Sequence, residues 1–159
     1  MNSRIVPKLL ELTHDMIDHT FKRDSEFLPT IMFEKEGQLQ IMVVIMNGEE
    51  EKDRTALVIR ELITQGVPEL TFSVDSWGAV IPEEERHNRR TSVKDIPGAF
   101  EQITCMYYSL QGEWTSCRRH KDGEFTQEWE SYHSHMSSEG RFCGMFRKAQ
   151  EEMGRRGLN

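Results

Sequence analysis

Residues 99–110 constrain the fold more than any other stretch, because they are apolar on both sides of a strand. Ile103, Cys105 and Tyr107 fall on one side, with Phe100, Met106 and Tyr108 on the other, since successive side chains of a strand alternate. Such a strand belongs in the middle of a sheet that is covered above and below. The neighbouring segments have to supply partner strands and both covers.

They do so in a readable order. Residues 3–23 carry Ile5, Leu9, Leu12, Met16 and Thr20 on one helical stripe, with Val6, Leu10, Ile17 and Phe21 beside it, and Pro7 is placed in the first turn. Residues 29–36 and 38–46 predict a hairpin turning at Lys35-Glu36-Gly37, and Leu39, Ile41, Val43 and Ile45 alternate along its second strand. An acidic start at residues 49–51 opens a helix to about residue 65, stopped by Gly66 and Pro68. Residues 69–80 form the clearest strand: Leu70, Phe72 and Val74 face one way, and Thr71, Ser73, Asp75 and Trp77 the other.

Pro82 and Pro97-Gly98 bracket a polar connection, 82–98, part of which (90–94) could extend a strand; loops this long are usually functional or mobile. Residues 113–121 and 124–132 form a second hairpin around Asp122-Gly123, a two-residue turn signal. Phe142, Met145, Phe146, Ala149 and Met153 define a last helix, with Ser137 or Ser138 as cap and Gly154 as stop. The whole chain, 1–159, is then one α+β domain with three helices and a mostly antiparallel sheet of about six strands, ordered α-β-β-α-β-β-β-β-α.

Composition narrows the function classes. The 27 acidic and 20 basic residues leave a net charge of −7, which repels nucleic-acid phosphates unless the bases gather on one face. The basic knots at 86–90 and 118–121 are short, and Glu83-Glu84-Glu85 precedes the first, so the expected partner is a protein. There is no apolar run near the roughly 20 residues that cross a bilayer, and residues 1–12 carry Pro7 and charges in place of an apolar signal. The expectation is a cytoplasmic protein with no membrane partner. Cys105, Cys117 and Cys143 form no C-x-x-C pair and read as free thiols.

Two sets of residues hold chemistry. His133 and His135, one residue apart on a strand, point to one face and could share a cation such as zinc. The run Tyr132-His133-Ser134-His135 resembles the JAMM family of zinc isopeptidases over about ten residues. That family follows its histidines with a proline, a serine and a metal-binding aspartate, where this chain has Met136, Cys143 and Phe146. Cys117 and His120 do not complete the site. With Asp122-Gly123 as the turn, Cys117 opposes Glu128 and shares a solvated, charge-paired face with Arg119 and Glu130. His120 falls on an aromatic face with Trp114, Phe125, Trp129 and His133. A metal is therefore not favoured, although a carboxylate such as Asp75 or Glu101 could join the His133–His135 pair.

The second set is Asp75 and Trp77, an acid beside an aromatic on the strand face away from Leu70, Phe72 and Val74. Residues 8–108, with Leu28-Pro29-Thr30-Ile31-Met32-Phe33 and a strand ending Val74-Asp75-Ser76-Trp77, resemble a group of small uncharacterised proteins of bacteria and phages. The resemblance implies a phage or mobile-element accessory factor without an assigned activity. The reading that follows is a non-catalytic protein-binding domain without cofactor, with contacts at Asp75, Trp77, Glu83, Glu84, Glu85, Arg89 and Arg90. Two rivals stand beside it. One is a metal-dependent hydrolase using His133 and His135. The other is a structural subunit of a homo-oligomer, which would show an exposed apolar patch on a helix or sheet face.

Overall fold

The structure, a computed structural model, describes residues 6–21, 26–80, 82, 84, 92–134 and 141–157. Its elements are α1 (Lys8–Thr20), β1 (Thr30–Lys35), β2 (Gln38–Val43), α2 (Glu49–Thr64), β3 (Glu69–Gly78), a 3-10 turn (Val93–Asp95), β4 (Phe100–Ser109), β5 (Gly112–Lys121), β6 (Glu124–Phe125), β7 (Glu130–Ser134) and α3 (Met145–Arg155). One sheet runs β2-β1-β3-β4-β5-β6, with β7 also on β5, and every pairing is antiparallel. This is the expected α+β architecture.

Both hairpin turns form as their residues dictate. Glu36 and Gly37 take φ of 53° and 77°, and Asp122 and Gly123 53° and 79°. Two consecutive left-handed residues make the turn whose twist matches a hairpin, and glycine at the second position adopts it without strain.

β4 lies in the middle, and each of its faces is covered. Ile31, Phe33, Leu70, Phe72 and Tyr108 pack with Ala56, Ile59 and Ile63 of α2 and with Met145 and Ala149 of α3. On the opposite face Leu9 and Leu10 of α1 pack on Cys105, Tyr107 and Trp114. Polar bonds fasten α1 there: the hydroxyls of Thr13 and Thr71 lie 2.8 Å apart, both fully buried. Among the described residues, no helix is long and apolar enough to cross a membrane.

Several boundaries differ from expectation, each for a local reason. α1 begins after Pro7, which caps it in an extended conformation, and the expected residues 3–5, 22 and 23 lie outside the described ones. Leu12, expected on the buried stripe, is 38% exposed, while Thr13 and His14 are buried. The described part of 90–94 enters a 3-10 turn and does not extend a strand.

The strand expected at 124–132 is broken. Lys121 pairs with Glu124 and His120 with Phe125, as the turn requires, but Cys117 then meets Glu130 where Glu128 was expected. Two extra residues are looped out around 126–129. Arg118 holds this loop: its Nε donates to the carbonyl of Gln127 at 2.7 Å, and its guanidinium lies 4.1 Å from the Phe125 ring centroid. An excursion of two residues preserves the faces.

α3 starts at Met145, whose amide donates to the carboxylate of Glu113 at 3.1 Å. A strand side chain thus satisfies one of the helix's unpaired N–H groups, and the cap candidates Ser137 and Ser138 lie outside the described residues. The helix passes through Gly154 and ends before Gly157, which takes φ of 70°.

Candidate functional site

β1 begins at Thr30, opposite Ser73. β3 continues five residues further, so among the described residues 74–78 pair with β4 on one side only. Backbone groups alternate in direction along a strand. In the β1–β2 hairpin the turn-closing pair Lys35 and Gln38 bond to each other, so Thr30 and Met32 point to β3 and bond Ser73 and Thr71. Asp75 and Trp77 continue that series, with their backbone N–H and C=O toward the open side.

That open side is a cleft of about 910 Å³, lined among others by Leu28, Ile45, Val74, Trp77, Glu101 and Phe142. Its size is in the range of ligand sites, roughly 300–1,000 Å³. Trp77 is 46% exposed at its rim. The cleft's two cations are already engaged: Lys52 with Glu49, and Arg141 with Glu49 and Asp53. The Arg141 guanidinium holds the Glu49 carboxyl below its usual range. Asp75 and Glu101 remain as the carboxylates of the opposite wall.

Those two acids converge on a histidine from a third strand. His120 of β5 is buried, with Nε2 at 2.8 Å from Oδ1 of Asp75 and Nδ1 at 3.9 Å from Glu101. Phe21 lies against its ring, centroids 4.8 Å apart. The arrangement ties β3, β4 and β5 together at the cleft and fixes the orientation of the Asp75 carboxylate. It does not supply a nucleophile. Ser73 and Cys105, on the same face, are 1% and 0% exposed, and burial pushes the Cys105 thiol up to about 12, far from the thiolate form that reacts. Ser76 points to the other face, toward Thr104.

A second polar cluster adjoins it. Asp18 of α1 accepts from Nε1 of Trp129 at 2.8 Å and from Arg118 at 2.7 Å. Trp129 stacks on His14, centroids 4.1 Å apart and planes 9° from parallel. Burial lowers the His14 pKa to about 4, and its Nε2 is buried without a hydrogen-bond partner.

The histidine pair is placed elsewhere. His133 lies opposite Trp114 and packs edge-on against it, centroids 5.0 Å apart. Its Nε2 sits 2.9 Å from where a Cβ on Gly112 would stand, so the glycine makes room for the ring. His120 and Trp114 are six residues apart on β5, roughly 20 Å at strand rise, and Asp75 and Glu101 stand at the His120 end. His135 lies outside the described residues. Cys117 and His120 point to opposite faces, and among the described residues no three His, Cys, Asp or Glu side chains are grouped to hold a metal. The cysteines are free, Cys105 buried and Cys117 and Cys143 half-buried. Of the other expected contacts, Glu84 is exposed, and Glu83, Glu85, Arg89 and Arg90 fall outside the described residues.

Asp75 and Trp77 are thus brought together at one rim, whereas His120 and Glu101 join Asp75 without having been expected there. The signal was present in part, since His120 and Asp75 each sit on a strand face that also carries an aromatic. Neither a protein-family model, a curated protein nor a solved structure matches the chain.

Proposed function

We propose that this protein is a non-catalytic binding domain that engages a protein partner at the open end of β3. The observation carrying this reading is the exposed Trp77 beside an oriented Asp75 at the rim of the cleft, where among the described residues no strand pairs with the outer edge of β3. An extended segment laid along that edge would gain main-chain hydrogen bonds, the mode by which peptides add to a sheet. Trp77 offers the large aromatic surface typical of an anchoring contact. Asp75 and Glu101, with the cleft's cations engaged elsewhere, favour a basic segment. An accessory role in a phage or mobile-element setting is part of this proposal and rests on the sequence resemblance of residues 8–108 alone.

A peptide array of Lys/Arg-rich and Asp/Glu-rich extended sequences tests the reading. Basic peptides are retained, and Trp77→Ala weakens retention by roughly thirtyfold, the loss of a hot-spot side chain, with an unchanged thermal midpoint. Equal capture of basic and acidic peptides, or capture indifferent to Trp77→Ala, would contradict it.

A further inference from the structure

The outer strand β2 leaves an apolar stripe uncovered. Leu39, Ile41 and Val43, with Ile45 just beyond the strand, are 46%, 55%, 57% and 70% exposed, and Leu39, Ile41 and Val43 lie on the face where α1 packs over β3, β4 and Trp114 of β5. Met42, Val44 and Met46, on the other face, pack against the α2 layer. Among the described residues β2 is also an edge of the sheet. Soluble proteins usually guard such edges with charges, prolines or bulges. Here residues 37–48 are twelve consecutive residues without charge or proline, in a chain that is 30% charged.

The edge is also self-complementary. The amide of Val44 donates to the carbonyl of Pro29, so even-numbered residues of β2 bond to β1. By alternation, Leu39, Ile41 and Val43 present their N–H and C=O groups outward. The same three residues therefore expose apolar side chains and free backbone groups.

From this we propose that β2 pairs antiparallel with β2 of a second copy of this chain, about a two-fold axis at Ile41. Ile41 then faces Ile41 of the other copy, and Leu39 faces Val43. The apolar stripe runs unbroken across the axis, and the two sheets join into one. A two-fold contact of this kind is isologous, using one patch twice. The occupant is a second copy because the edge is neutral over its whole length: two chains each carrying −7 meet there without apposing like charges. Val43 and Ile45 also line the cleft, so the contact would bring the two clefts near the axis, but it does not depend on the cleft's being a binding site.

Sedimentation over a concentration series tests the proposal on the intact chain. The mass should rise from 18.6 kDa toward twice that value. Ile41→Lys and Val43→Lys should each weaken the association at least about tenfold, as a charge on an edge strand does, while leaving the thermal midpoint of the monomer unchanged. Register is tested by oxidation. Facing residues of an antiparallel pair have Cα atoms roughly 5 Å apart, within reach of a disulfide. Ile41→Cys alone should cross-link, and Leu39→Cys should do so only together with Val43→Cys, with the parent chain as control. A monomer at every concentration would overturn the proposal and leave the stripe to a different protein. So would a dimer that survives both lysine variants, or Leu39→Cys cross-linking as readily as Ile41→Cys.

Discussion

Replacing Phe72 by alanine is expected to lower folding stability by about 3–5 kcal/mol, as for other fully buried phenylalanines. Phe72 is 0% exposed in β3. It lies beside Ile31 on one neighbouring strand and Met106 on the other, and its ring is 4.9 Å from that of Phe142. α2 and α3 both close over the cluster it belongs to, so the space left by its ring cannot be refilled by a small shift of one helix. A loss of that size is a large part of the stability of a single domain, about 5–15 kcal/mol. Urea unfolding of Phe72→Ala, with Ile41→Ala at low protein concentration as a surface control, measures it. The control should change by no more than about 0.5 kcal/mol. A Phe72→Ala effect as small as the control's would contradict the packing of this layer.

Acid should weaken the fold through His14. Its folded pKa of about 4, set first by burial and opposed by Asp18 and Asp15, lies below its ordinary 6.5. Between those values the unfolded chain takes up a proton that the folded chain refuses, so stability falls as pH falls from about 6.5 to 4 and is fully present above that window. The difference corresponds to about 3 kcal/mol. His14→Phe keeps the stack on Trp129 and removes the titrating group together with its unpartnered Nε2. Denaturation at pH 7, 6, 5 and 4 should show a shallower pH slope for His14→Phe than for the parent. Parallel slopes would show that His14 is not held neutral.

Local chemistry was legible where it acts over a few residues. The turns at Glu36-Gly37 and Asp122-Gly123, the acidic start of α2 and the two-sided burial of β4 all follow from neighbouring residues. What could not be read depends on contacts between distant ones. The broken strand after Phe125 is shaped by Arg118, which is held in turn by Asp18 a hundred residues earlier. Leu12 is displaced from the buried stripe of α1 because Thr13 bonds Thr71 across the interface. The site was half legible: Asp75 and Trp77 stand out on their strand. The partnership of Asp75 with His120, however, needs the order β3-β4-β5 and its register, which no single segment contains. The exposure of Leu39, Ile41 and Val43 was hidden for the same reason, since alternation alone does not say which face a helix will cover.

The most direct test of binding at the open end of β3 is an amide chemical-shift titration of the labelled protein with an arginine-rich nonapeptide. The account predicts shifts concentrated at residues 74–77 and Glu101, together with movement of the Trp77 indole resonance. Shifts spread over the acidic surface with the Trp77 indole unmoved would contradict it.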